Sequence, residues 1–161
     1  MIRRKKGGYF KRIEGTPKPL VVLIKRRVSF SEVDLAGIVW HGRYPVYFEE
    51  GFAELGRQCG LSYKDYLEAN LLAPIVQFHI DYYESLVLEE EFTIKASLVW
   101  CEGARLNIEY TMIKQNGNIS ATGYTVQMFT DRVNGDFYIA PPELVERCRR
   151  RWETGEFACL Q

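Results

Sequence analysis

The sequence is poor in the residue types that announce most specialised chemistries. Its 161 residues include two histidines and four cysteines (Cys59, Cys101, Cys148 and Cys159), with no CxxC pair. Such spacing does not suit a zinc site, and the density is too low for the disulfide scaffold of a small secreted domain. Reduced thiols in a cytoplasmic protein are the expectation. No apolar run approaches the roughly 20 residues that a membrane helix needs. The basic start, Met1 to Arg12, lacks the apolar stretch of about 7–15 residues that completes a signal peptide. Leu20-Val-Val-Leu-Ile24 is too short, and Lys18, Lys25, Arg26 and Arg27 hem it in. Two readings of the start stand: a solvated, partly ordered tail, as termini commonly are, or a contact for an acidic partner or a phosphate. An excess of one charge is also missing. Twenty-one basic residues balance 21 acidic ones, which excludes a global pull toward nucleic acid or a membrane surface.

What is present is a hydrophobic share of 47%. A domain of this length buries roughly 70% of its unfolded surface, enough for one core without a metal or disulfide staple. Leu20 to Phe30 reads as a first strand, and Ser31 to Arg43 as a loop. Pro45 opens a helix running to about Gln58, with Gly60 in its C-terminal cap region. The stripe Phe48, Phe52, Leu55 and Cys59 marks the buried face of that helix. Gly51, Ala53 and Gly56 are unusually small for a helix interior, where Gly costs about 1 kcal/mol against Ala; a sheet wrapped closely around the helix explains them. Ser62 caps a short second helix to about Asn70.

From there the period becomes two, and strands are expected at Leu72–Glu84, Glu91–Glu102, Ala104–Gln115 and Ile119–Arg132. Asn116-Gly-Asn118 is a hairpin turn, with a weaker one at Glu102-Gly103. Asn134-Gly135 precedes a short strand, Phe137–Ile139, and Pro141-Pro142 leads into a terminal helix from Glu143 to about Trp152. Helices and strands do not alternate, which excludes a doubly wound parallel sheet. The predicted class is α+β, one long central helix against one antiparallel sheet. Its parts are a basic extension (1–19), the main domain (20–142) and a terminal helix with tail (143–161).

The segment richest in chemistry is Phe30-Ser-Glu-Val-Asp-Leu-Ala-Gly-Ile-Val-Trp-His-Gly-Arg-Tyr-Pro-Val-Tyr-Phe-Glu49. It places the Asp34 carboxylate in a loop of small residues, and His41 just ahead of a helix start. A helix start offers unpaired N–H groups and a positive dipole end, suited to the oxyanion of acyl transfer beside a carboxylate that attacks or activates water. By itself a loop Asp is more often a turn former or a cap.

This segment resembles the signature of the 4-hydroxybenzoyl-CoA thioesterase family of hotdog-fold proteins. The resemblance is carried by Glu32, Asp34, Ala36-Gly37-Ile38-Val39, Trp40, His41, Tyr44, Tyr47, Phe48 and Glu49, and the order of elements matches from about Leu20 to Pro142. It implies a hotdog fold and hydrolysis of an acyl-CoA thioester, with CoA present only as part of the substrate and no cofactor. It implies Asp34 as nucleophile or general base, and His41 as the site whose backbone N–H polarises the carbonyl. Substrate contacts are implied at Gly37, Trp40, Gly42, Tyr44, Glu49 and Arg105. Glu49 reads equally as an exposed acid favoured by the helix dipole. Tyr44 and Tyr47 read as core or pocket-wall aromatics, Glu32 as a loop acid, and His79 as part of a polar strand face.

The sequence departs from the family where a basic cluster is expected after Trp100. Arg105 is the only cation there, opposed by Glu102, which leaves an acyl-carrier-protein substrate open. Arg147, Arg149, Arg150 and Arg151 form either another phosphate site or a solvated helix face. The resemblance also implies a homodimer or homotetramer paired through sheet edges. Two further readings are a hotdog dehydratase, which His41-Gly-Arg-Tyr-Pro45 matches poorly, and a non-catalytic acyl-CoA-binding module, against which the retained Asp34 speaks.

Overall fold

A computed structural model of the chain describes residues 8–161. Strand β1 (Leu20–Arg27) is followed by the long helix α1 (Tyr44–Cys59) and the short helix α2 (Tyr63–Glu68). Next come β2 (Leu71–Leu72), β3 (Ile75–Tyr82), β4 (Glu91–Val99), β5 (Arg105–Lys114), β6 (Ile119–Met128) and β7 (Thr130–Asp131), and then α3 (Glu143–Glu153). Five strands form one antiparallel sheet in the order β1-β4-β5-β6-β3, so β1 and β3 are its edges. The predicted architecture, one long helix on one antiparallel sheet, is what folds.

Helix α1 lies on the inner face of this sheet, with Phe48, Phe52, Leu55 and Cys59 all buried. Phe48 stacks on Tyr110, centroids 4.2 Å apart and planes 12° apart. At Gly51 a Cβ would sit 3.0 Å from the Ala96 Cβ and 3.2 Å from Ile94 Cγ2, so the expected close approach of the sheet is real there. Gly56 has a different reason: a Cβ would meet the Leu61 carbonyl oxygen at 2.5 Å, where the chain returns after the helix. Ser62 caps α2 through a reciprocal pair of bonds with Asp65.

Three expectations need correction. The stretch Leu72–Glu84 is not one strand. Pro74 interrupts it, since proline has no N–H to give a ladder, and β2 pairs with β7 instead of joining the main sheet. Phe137–Ile139 forms no strand; Phe137 makes a single bridge to Thr130. The solvated-tail reading of Met1–Arg12 fails where residues are described. Tyr9 packs against His79 and Tyr124 on the outer face of the sheet, and its hydroxyl bonds Asp81 and Thr122 at 2.5 Å each. The Phe10 N–H and the Arg12 guanidinium both reach Glu109. Residues 8–12 thus cross β3, β6 and β5 as a strap; Met1–Gly7 lie outside the described residues.

Helix α3 packs Leu144, Val145, Cys148 and Trp152 into the same core, and Trp152 donates to the Lys18 carbonyl at 2.9 Å. Among the described residues no helix is long and apolar enough to cross a membrane.

The tightest point of the core is Gly123 in β6, where a Cβ would overlap the His79 carbonyl oxygen and lie 2.7 Å from the Phe48 ring. Gly123→Ala is expected to destabilise the fold by about 2–3 kcal/mol through overpacking, lowering Tm by roughly 5–10 °C. Thermal unfolding followed by circular dichroism checks this, and an unchanged Tm would show that α1 rides higher on the sheet.

Candidate active site

The segment between β1 and α1 folds as a small hairpin leading into a turn of 3-10 helix. Val33 bridges Val39, the Asp34 N–H donates to the Ile38 carbonyl at 2.9 Å, and the Gly37 N–H returns to the Asp34 carbonyl at 3.0 Å. Gly37 has φ +72°, a left-handed conformation that glycine adopts without strain. Its role here is to close the turn. A second bridge, Ile38 to Val87, fastens the hairpin to the segment that precedes β4.

Asp34 is exposed at the tip of this hairpin, and its Oδ1 accepts the Ala36 N–H at 2.8 Å. At the base, the Trp40 N–H donates to the Glu32 carbonyl at 2.9 Å. His41 follows immediately, opening the 3-10 turn His41–Arg43 that continues into α1. The first backbone bond of that turn runs from Arg43 N–H to the Trp40 carbonyl. The N–H groups of His41 and Gly42 precede it and have no intrahelical partner. Asp34 and these donors therefore stand at the two ends of one short ladder, roughly 10 Å apart by strand spacing. Leu35 is fully exposed at the tip and the Trp40 ring about half exposed at the base.

Behind the hairpin lies a charged support. Arg26 occupies the inward-facing row of β1 with Leu20, Val22 and Ile24. Its guanidinium bonds Glu32 at 2.8 Å and Glu50 on α1 at 2.7 Å, and lies 5.0 Å over the Tyr47 ring. Glu32 is only 6% exposed and also accepts the Ser29 N–H at 2.8 Å. The bond to Glu50 holds Arg26 charged above its ordinary range, while burial followed by the Glu32 carboxylate raises the Tyr47 phenol. Arg26 thus ties β1, α1 and the loop at one point. Sequence reading overlooked it, although a cation on the inward parity of an otherwise apolar strand is a visible signal.

The remaining expected site residues divide. Gly42 lies beneath the Trp40 indole, which would overlap any Cβ there, so its smallness serves packing. Tyr44 is buried with its hydroxyl 3.1 Å from Ser120 Oγ, on the core side of its two readings. Glu49 is exposed on α1, near enough to Tyr63 on α2 that, after burial, its charge helps raise that phenol. Tyr82, not singled out before, donates to the His41 carbonyl at 3.0 Å and joins β3 to the helix start.

Arg105 does not meet the others within one chain. It starts β5, whereas the hairpin lies beyond the Lys114 end, roughly 30 Å away along the strand. Three of the four arginines of α3 are engaged, leaving little for a phosphate: Arg149 is buried on the carbonyls of Glu102 and Gly103, Arg150 pairs with Glu143, and Arg151 with Glu156. Among the described residues no group of three or more His, Cys, Asp or Glu is arranged to hold a metal ion.

A sequence profile of the thioesterase-like superfamily matches residues 28–148. The chain belongs to this superfamily, and its fold is the hotdog fold. It is 26% identical over 105 residues to the provisionally named acyl-CoA thioesterase YneP of Bacillus subtilis (strain 168), covering 65% of this chain and 76% of that one. Among solved structures it resembles a DHNA-CoA thioesterase from Staphylococcus aureus, with a TM-score of 0.71, 18% identity, and coverage of 86% and 90%. It also resembles SAV2348 of Staphylococcus aureus, solved in complex with CoA, with a TM-score of 0.74, 17% identity, and coverage of 86% of each chain.

Arg26→Met is expected to lower stability by about 2 kcal/mol, because it strands the Glu32 charge in a buried setting. Arg26→Met combined with Glu32→Gln is expected to recover part of the loss. Urea unfolding of Arg26→Met, Glu32→Gln and the double variant measures the coupling, and strictly additive losses would show that the pair does not act as a unit.

Proposed function

We propose that this chain hydrolyses acyl-CoA thioesters, with Asp34 as the reacting carboxylate and the His41 N–H as the carbonyl-polarising donor. The observation that supports the reading is the hairpin, which carries an exposed carboxylate at its tip and leads at its base into the donors that open α1, in a member of the thioesterase-like superfamily. A thioester carbonyl is already electrophilic, and thiolate leaves readily. The carboxylate either takes a proton from water as it attacks or attacks the carbonyl itself, giving an anhydride that water then opens. Both routes end in a free acid and the CoA thiol. Arg43, exposed on the same loop and bonded to the Ser31 carbonyl at 3.0 Å, is a suitable cation for a CoA phosphate.

The working unit in this reading is a dimer joined through β3. That strand is an edge with Ile75, Val76, Phe78 and Tyr82 all exposed. An unpaired apolar edge is a template for pairing with a second strand, and a second copy satisfies it.

Thiol release from a panel of aromatic and aliphatic acyl-CoAs tests the activity. Asp34→Asn is expected to cut turnover by about 10²–10⁴-fold while the variant stays folded. Single turnover in oxygen-18 water distinguishes the two routes, since label enters the Asp34 carboxylate only through the anhydride. Light scattering is expected to give twice the chain mass. Undiminished hydrolysis by Asp34→Asn would sink the assignment, and tight binding without turnover on any thioester would mark a non-catalytic module.

A further inference from the structure

The trailing end of α1 holds a pair of thiols that the proposed hydrolysis does not use. Cys59, the last residue of α1, and Cys148, in the middle of α3, are 1% and 3% exposed and belong to the same core cluster. Helix α3 passes so close here that a Cβ on Gly60, the next residue, would sit 3.1 Å from Arg151 Nη1. Both cysteines are free, and their thiols lie within hydrogen-bonding reach of each other. Two helices far apart in the chain thus bring their sulfurs together inside the core.

The surroundings give the two sulfurs different tasks. The bond between them, and then burial, pushes the Cys59 thiol up; the same bond, helped against burial by the Arg151 and Arg149 charges, draws Cys148 down. Cys148 is therefore the readier thiolate, the form that reacts with an oxidant. It also lines a cavity of about 10 Å³ together with Cys101, Arg105, Arg149 and Trp152, room for about one water-sized molecule. Cys101 is only partly buried, and its sulfur accepts from Arg105 Nε at 3.4 Å. The cavity thus reaches from a partly open edge to Cys148. The Tyr66 hydroxyl is buried as well, with no hydrogen-bond partner among the described residues. After burial, charge at Cys59 and Cys148 does most to raise its phenol, so it faces the same two sulfurs. Buried donors are nearly always paired, and an oxygen added to Cys148 would supply the missing acceptor.

We propose that Cys59 and Cys148 are a modification site where hydrogen peroxide forms a reversible disulfide between α1 and α3, the Tyr66 phenol holding the oxygen of the intermediate. The Cys148 thiolate attacks one peroxide oxygen and the O–O bond breaks, leaving Cys148 as a sulfenic acid. The departing hydroxide takes the Cys59 proton and leaves as water. The Cys59 thiolate then attacks the sulfenic sulfur and the S–O bond breaks. That hydroxide takes up the proton Cys148 had lost and leaves as a second water. Over both steps two thiols lose two electrons and one peroxide becomes two waters. An external dithiol reverses the bond by exchange. The linked residues enclose a loop of about 90 residues, so the bond restricts the unfolded chain strongly. None of this depends on the thioesterase reading.

The test uses the full chain carrying Cys101→Ser and Cys159→Ser, both outside the core, so that the pair is the only source of thiol. The folded protein is treated with hydrogen peroxide, quenched, then unfolded and alkylated. The expected result is no alkylated cysteine, a mass lower by two hydrogens, and a Tm raised by roughly 10 °C. Dithiothreitol is expected to restore both thiols and the original Tm. Peptide mass mapping of the unsubstituted chain is expected to show the same Cys59–Cys148 link, so poor folding of the variant does not decide the matter. Tyr66→Phe is expected to slow formation of the bond by about fivefold, and an unchanged rate would remove the phenol from the proposal. Both thiols still open to alkylation, a link between copies of the chain, or a sulfinic acid on Cys148 beside an unreacted Cys59 would overturn it. So would a bond that lowers Tm, since the native packing would then not bring the sulfurs to disulfide geometry.

Discussion

The position of α1 relative to the sheet governs everything at the candidate site. The helix can approach so closely because glycine stands at two points of contact, Gly51 against Ala96 and Ile94 and Gly123 beneath the Phe48 ring, and because that ring lies flat on Tyr110. With the helix seated this way, its leading end is held by Tyr44 against Ser120 and by the Tyr82 hydroxyl on the His41 carbonyl. The donors at His41 and Gly42 are then presented by a rigid element. A larger residue at either glycine would lift the helix and move those donors relative to the hairpin.

Two carboxylates separated by one residue show how environment assigns roles. Glu32 is drawn inward, where Arg26 and the Ser29 N–H occupy its oxygens and its backbone carbonyl holds Trp40. Asp34 is left outside at the turn, with Oδ1 on its own Ala36 N–H. The first is spent on holding the hairpin's base to β1 and α1. The second stays exposed, where under the proposed reading a bound acyl group or a second subunit would seal it from water. Desolvation of that kind strengthens every electrostatic interaction at the site.

The order of elements, the buried stripe of α1, the Ser62 cap and the hairpin turns were all legible in the sequence, because each rests on local periodicity or local turn chemistry. The errors fell where a distant partner decides. Nothing local shows that the strand before Ile75 pairs with Thr130 and Asp131, nor that Tyr9 would find a pocket formed by His79 and Asp81 on β3 with Thr122 and Tyr124 on β6. The arginines of α3 looked like a charged face from their spacing alone. Arg149 is instead consumed by carbonyls of the β4–β5 turn, more than forty positions away.

By itself the sequence determined the fold class, the superfamily and the identity of the loop that bears Asp34, since a contiguous motif and short-range hydrophobic periods carry all three. The tertiary structure alone decided which residues of that motif support the loop. Gly37, Gly42 and Glu32 serve the turn, the indole and the hairpin base, while Arg26, Glu50 and Tyr82 join the site from β1, α1 and β3. Their meeting is a property of packing between distant segments, which no linear pattern encodes.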